Sequence, residues 1–277
     1  MGLSTLAPVL AQARAAGRAV GAFNVIQVEH AEAYAVAAEG SSLPVVMQIS
    51  ENCVRWHGSL RPIAAATLAI AEACTVPVVV HLDHAESTEL VEEAVRLGLT
   101  SVMFDGSRLP HEANRATTRR VVEQCHAAGI AVEAELGEIG GKDGVHAPGA
   151  RTDPADAARF VADTGVDALA VAVGSSHAMT ERVAVLDTDL IATLAGAVPV
   201  PLVLHGSSGV PDDGLVAAVR AGMTKVNIAT HLNQVWTEAM VARLDESPTV
   251  DTRTYLGAAR DAVATEAERL LRLLART

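Results

Sequence analysis

The sequence predicts an α/β chain wound as a (β/α)8 TIM barrel, with a doubly wound open sheet as the alternative. Three observations carry this. Short Val-, Ala- and Leu-rich runs alternate with longer helical patterns along all 277 residues. The runs are apolar at consecutive positions, as in Val78-Val79-Val80, which suits strands buried on both faces of a parallel sheet. The composition is 50% hydrophobic but only 3% aromatic, so the core must be layered from Val, Ala, Leu and Ile.

In chain order, strands are expected over 19–25 (AVGAFNV), 44–50 (PVVMQIS), 77–82 (PVVVHL) and 100–105 (TSVMFD). Four more follow at 131–136 (AVEAEL), 168–173 (ALAVAV), 201–206 (PLVLHG) and 225–229 (KVNIA). Helices fill the gaps, for example 87–97, 110–128, 153–164 and 211–221. Asp153 before Pro154 is a helix start, and Gly98, Gly129, Gly165 and Gly222 stand where helices should stop. An extra helix is expected before strand one, and a C-terminal helical extension from Thr230 onward. No linker or low-complexity segment interrupts the pattern, so one domain over 1–277 is expected.

Composition narrows the function classes. A formal net charge of -12 disfavours nucleic acid and anionic lipid as partners. No apolar run is long enough to span a bilayer and no stretch has the plan of a signal peptide, so a cytoplasmic location is expected. Cys53, Cys74 and Cys125 are far apart and lack metal-type spacing, and read as small core residues in a reducing setting.

Barrel enzymes work at the C-terminal ends of their strands, and polar residues recur there in this chain. Asn24, Ser50, the group His81, Asp83 and His84, then Asp105, the pair Glu133 and Glu135, His177, His205, Asn227 and Thr230 together describe a rim. His84, His177 and His205 come from three strand ends, and three imidazoles with an open fourth position suit a catalytic zinc. Any one of them alone would more often be a structural histidine. Asp83 suits an acid/base role beside a metal-bound oxygen, or else orients an imidazole. His81 is the better candidate for orienting, sharing a face with Asp83. Glu133 and Glu135 also share a face, and either holds a histidine, offers a second metal position or is a structural carboxylate. His30, His57, His111, His126 and His231 read as structural or solvated, and His146 lies in a Gly-rich loop. HGSSG (205–209) and VNIAT (226–230) are turns of the kind that cradle phosphate. The two lysines, Lys142 in a loop and Lys225 at the start of strand eight, argue against a Schiff-base mechanism.

The motifs HLDHA, SVMFDGSRLPHEAN, VEAELGEIGG, LAVAVGSSHA, LVLHGSSGV and TKVNIAT, in this order, resemble the class II, zinc-dependent ketose-bisphosphate aldolases (fructose- or tagatose-bisphosphate type) over nearly the whole chain. The resemblance implies a lyase of carbohydrate metabolism, glycolytic in type, that cleaves a ketose bisphosphate to dihydroxyacetone phosphate and glyceraldehyde 3-phosphate. It implies zinc on His84, His177 and His205, Asp83 as acid/base at the C4 hydroxyl, and Asp105 and Glu135 at an alternative metal position. Ketose contacts would come from Asn24 and Ser50, with one phosphate on Gly206, Ser208, Asn227 and Thr230. Asp251-Thr252-Arg253 resembles the family's DPR motif, whose Arg grips the far phosphate across a subunit boundary, so a homodimer or homotetramer is implied. Two departures stand out. The loop GGKDGVHAPGA leaves Asp143 where relatives use a Glu for the C3 proton, and Ala178 replaces a Gly in the corner that would hold phosphate and a monovalent cation. Rival readings are a metal-dependent hydrolase, an aldolase for another phosphorylated keto-sugar or polyol-breakdown intermediate, and a catalytically silent subunit with this fold.

Overall fold

The structure is a computed structural model and describes residues 2–136 and 151–276. The strands are β1 (Val20–Asn24), β2 (Val45–Ser50), β3 (Val78–Ala85), β4 (Ser101–Phe104), β5 (Ala131–Glu135), β6 (Ala168–Ala170), β7 (Leu202–Leu204) and β8 (Met223–Ile228). Each pairs in parallel with the next and β8 closes on β1, which removes the open-sheet alternative. Helix α1 (Leu6–Ala15) precedes the barrel. Around it run α2 (Val28–Ser41), α3 (Glu51–His57), α4 (Arg61–Ala73), α5 (Thr88–Leu97), α6 (His111–Ala127), α7 (Pro154–Thr164), α8 (Thr188–Ala197) and α9 (Asp212–Ala221). The C-terminal extension is two helices, α10 (Thr230–Glu246) and α11 (Thr252–Leu274).

Local chemistry explains the boundaries. The Asp153 side chain accepts from the amides of Ala155 and Asp156 and starts α7; Ser87 does the same for α5. Gly98 and Gly165 close α5 and α7 in the left-handed conformation, at φ 89° and 73°. Asp251 caps α11 by accepting from the Arg253 amide, so the Asp-Thr-Arg triplet is also a helix start.

Two layers of apolar packing result. The larger lies between the barrel and its helices. The smaller joins Val20, Ala22, Val46, Val79, Ala131, Ala168 and Val203 to Leu6, Val9 and Leu10 of α1, which stops the N-terminal mouth. These strand residues are small because the interior of a closed barrel is narrow. Moving two residues along the same strands, toward their C-terminal ends, gives Asn24, Gln48, His81 and Glu133. The interior therefore changes from apolar to polar in one step of the period-2 alternation.

Several strand limits differ from expectation, three of them with consequences for the site. β6 ends at Ala170, although 171–173 stay buried. β3 continues to Ala85, which takes Asp83 and His84 into the strand beside His81. β8 starts at Met223, so Lys225 lies inside the barrel at 0% exposure rather than at its far end.

On α2, His30 is buried and stacks on Trp236 with ring centroids 4.5 Å apart. Neither ring nitrogen has a hydrogen-bond partner. Burial lowers its pKa from 6.5 to about 4. The unfolded chain then binds this proton near pH 6.5 and the folded chain only near 4, so the contribution is intact above 6.5 and is lost as pH falls toward 4. Replacing the ring by an apolar one of similar shape, His30→Phe, should flatten that part of the stability profile in urea melts between pH 7 and 4. An unchanged slope would assign the acid sensitivity to other groups.

Candidate active site

The polar mouth of the barrel is built around three histidines. His84 ends β3, His177 follows β6 and His205 follows β7. The ring centroids lie 4.7 Å (His84–His205), 5.2 Å (His84–His177) and 5.7 Å (His177–His205) apart, all edge to face. With Glu135 they form a group whose ligand atoms all lie within 4.8 Å of one another. A set of imidazoles with one carboxylate fits zinc chemistry. Asp105 stands beside this group, its Oδ2 2.7 Å from His84 Nδ1.

The carboxylates around the histidines set their charge. Burial by itself would lower the His84 pKa, but Asp83, the hydrogen bond to Asp105 and the charge of Glu135 outweigh it and raise the value to about 9. His84 Nε2 and His205 Nδ1 face each other at 3.0 Å. Beneath this pair, burial and the neighbouring Lys225 charge push His81 well below its ordinary value. His81 faces Ser101 Oγ at 2.8 Å, and its contact with Glu133 is 4.0 Å. The groups in contact with the cluster histidines are carboxylates rather than His81: Asp105 on His84, and Glu133 with Oε1 2.9 Å from His205 Nε2.

Asp83 is held at one oxygen by two side-chain amides. Asn24 Nδ2 and Gln48 Nε2 face its Oδ2 at 3.4 and 3.3 Å, and Gln48 donates to Asn24 Oδ1 at 2.8 Å. Its Oδ1 has no protein partner, and Asp83 lines a cavity with His84 and His177. The same cavity is lined by Asn24, Ser50, Gly206, Ser208, Asn227 and Thr230. Gln48 was missed in the sequence; its place between Val46 and Ser50 on the inward register of β2 is the signal that could have found it.

Backbone conformation brings the turns together. Gly206 has φ 66°, and a Cβ on it would lie 2.6 Å from the Ser176 carbonyl carbon. The segment after β6 therefore rests on the Gly206 backbone, which sets His177 over His205. Ser208 Oγ accepts from the Ala229 amide at 3.3 Å and ties the turns after β7 and β8. His84 and Ala178 adopt φ 50° and 58°, a region that costs side-chain-bearing residues on the order of 1–2 kcal/mol.

Two expected residues stand apart. Arg253 lines neither this cavity nor the adjoining one reaching Arg55 and Arg108, and its side chain is 89% exposed, bridged to Asp251. Asp143, together with Lys142 and His146, lies outside the described residues.

A profile described as fructose-bisphosphate aldolase class-II matches residues 4–277. The chain belongs to the class II fructose-bisphosphate aldolase family. It is accordingly a lyase of a metal-dependent class. Among similar proteins, a 6-phospho-5-dehydro-2-deoxy-D-gluconate aldolase of Shouchella clausii is 38% identical over 90% of this chain and 86% of its own. A fructose-bisphosphate aldolase of Thermus caldophilus is 38% identical over 92% of each. The YdjI aldolase of Escherichia coli K12 superposes with a TM-score of 0.87 at 32% identity, covering 98% of this chain and 97% of that one.

The strain at Ala178 gives a direct check on this aldolase's site. Ala178→Gly should stabilise the protein by about 0.5–1 kcal/mol, the relief of left-handed strain minus the added freedom of the unfolded chain. Chemical denaturation of both proteins measures it, and a destabilised variant would mean that the methyl group makes a contact worth more than the strain.

Proposed function

We propose that this aldolase reversibly cleaves a ketose bisphosphate, fructose 1,6- or tagatose 1,6-bisphosphate, to dihydroxyacetone phosphate and glyceraldehyde 3-phosphate, using zinc held by His84, His177 and His205. The observation that carries the reading is Asp83. One of its oxygens is fixed by two amides and the other is open, beside a three-histidine cluster and in the same cavity.

Zinc supplies Lewis-acid polarisation of the substrate ketone, a contribution on the order of several kcal/mol. The rest falls to the chain's own groups. Asp83 Oδ1 takes the C4 hydroxyl proton on cleavage and returns it to the aldehyde on condensation. Asn24 and Gln48 hold that carboxylate in place. Gly206, Ser208, Asn227 and Thr230 line the end of the cavity suited to one phosphate, where backbone N–H groups and the start of α10 favour an anion. Asp105 and Glu135 are assigned to the alternative metal position, Asp143 to the C3 proton, and the corner at Ala178 to a monovalent cation. Arg253, exposed and not lining its own cavity, is assigned to the far phosphate of a neighbouring subunit in a homodimer or homotetramer. Among the described residues no helix is long and apolar enough to cross a membrane, and we assign the enzyme to the cytoplasm.

A second reading has a specific observation behind it. The Shouchella clausii relative is named for a phosphorylated keto-sugar acid, so such a compound belongs beside both bisphosphates in a substrate panel. Turnover of none of them by zinc-loaded protein would support the silent-subunit reading.

Asp83→Asn should retain zinc by elemental analysis yet lose about 10²–10⁴-fold in cleavage rate, because an amide of the same shape cannot accept the proton. A loss well under tenfold would move Asp83 to a purely orienting role.

An Arg grips phosphate through two parallel charge-assisted hydrogen bonds that Ala cannot replace. Arg253→Ala should therefore raise KM for the bisphosphate while leaving hydrogen exchange into dihydroxyacetone phosphate nearly unchanged. Hybrids of Arg253→Ala and Asp83→Asn chains should recover part of the activity. Equal loss in both assays would assign Arg253 to the fold, and hybrids without rescue would place it in its own subunit's site.

A further inference from the structure

Lys225 is a buried cation that the proposed chemistry does not use. It is 0% exposed, and its Nζ lies 2.8 Å from Glu133 Oε2, also at 0% exposure, an ion pair by distance in which neither atom meets hydrogen-bond geometry. Bringing such a pair into a barrel interior lined below by Val46, Val79 and Ala131 costs several kcal/mol per ion before their attraction repays it. An apolar pair of similar volume would suit the fold at least as well. The pair therefore calls for an explanation beyond stability.

Its other end supplies one. Glu133 Oε1 lies 2.9 Å from His205 Nε2, while His205 Nδ1 faces His84 at 3.0 Å and Glu135 at 4.0 Å. His205 Nε2 is contested, because Asn227 Nδ2 stands 3.2 Å from it. An amide donor needs that nitrogen bare, whereas a carboxylate needs it protonated. The two neighbours ask for opposite tautomers of the same ring. The tautomer with hydrogen on Nδ1 would point an N–H into the cluster, where a metal ligand must present a lone pair.

We infer that Lys225 is a positioning residue: by holding Glu133 Oε2, it turns Oε1 onto His205 Nε2–H and so fixes the tautomer whose bare Nδ1 faces the metal cluster. The inference rests on the proposed metal site. A carboxylate tied at one oxygen by an ammonium has the other oxygen fixed in direction, and a charged acceptor outcompetes a neutral amide for the ring. The order of contacts is Lys225, Glu133, His205, cluster. Each member sits on a different strand or strand end, so only barrel closure lines them up.

The test uses full-length protein in three forms: parental, Lys225→Met, and the neutral double variant Lys225→Met/Glu133→Gln. Zinc affinity is measured by chelator competition, metal-free stability by denaturant melts, and the His205 ring by ¹⁵N-histidine NMR of the metal-free state, assigned with a His205→Gln sample. The parental His205 should show a protonated Nε2 and a bare Nδ1. Lys225→Met should bind zinc about 10–100-fold more weakly, the usual size of such outer contacts, with its ¹⁵N signals shifted toward the opposite tautomer. The double variant removes the unpaired buried charge and should regain metal-free stability without regaining zinc affinity. If Lys225→Met does not fold, the double variant decides. Zinc affinity within twofold of parental in a folded variant, with only stability altered, would reduce Lys225 to a fold residue. A parental His205 protonated on Nδ1 would overturn the inference outright. Parental protein that binds no zinc would instead overturn the metal reading, leaving the NMR result to judge the tautomer by itself.

Discussion

A closed parallel barrel seals every second side chain of eight strands into one narrow interior, and that constraint governs this molecule. At the N-terminal end the interior is filled by small apolar residues and stopped by α1. At the C-terminal end the same alternation must put side chains into a space that water and substrate enter. Asn24, Gln48, Asp83, Glu133, Glu135, Lys225 and Asn227 all fall on this inward register. None of them could turn outward without moving a whole strand to its other face. The site is thus part of the barrel wall, which is why its carboxylates are so deeply buried.

That burial has an electrostatic consequence. Asp83, Asp105, Glu133 and Glu135 are each at most 5% exposed and crowd around three imidazoles and one ammonium. Such a set is stable only when each charge has a close partner. The chain meets this with specific pairs: Asp105 with His84, Glu133 with Lys225 and His205, and Asp83 with the amides of Asn24 and Gln48. The raised His84 pKa and the lowered His81 pKa are two results of one arrangement. His84 faces the carboxylates, whereas His81 is buried beside a lysine. Two histidines three residues apart on one strand are therefore shifted in opposite directions because of what the neighbouring strands present.

Strain is concentrated in the same place. Among the described residues, positive φ at a non-glycine occurs at Ser42, which ends α2, and at His84 and Ala178, both in the site. His84 must leave the regular strand to turn its ring toward His205, and Ala178 follows His177 directly. Gly206 completes the set, since no other residue leaves room for the Ser176 backbone above it. Packing around the barrel stabilises these conformations, and in return they hold three rings from three strand ends in edge-to-face contact.

By itself the sequence determined the alternation of strands and helices, with the barrel as its first reading and an open sheet as the alternative, and most of the polar residues at the strand ends. Consecutive apolar runs imply two-sided burial, and residues such as His84, Asp83 and His205 stand directly after them. It also marked the face shared by Glu133 and Glu135, because alternation along a strand is a local property. Contacts across the barrel were not legible, since they depend on register between strands far apart in the chain. The sequence offered His81, and alternatively Glu133 or Glu135, as groups that orient a histidine; only the structure pairs Glu133 with His205, 72 residues away. Lys225 likewise looked displaced to the wrong end until β8 was seen to begin two residues earlier. Periodicity fixes which face a residue occupies, and only barrel closure decides what stands opposite.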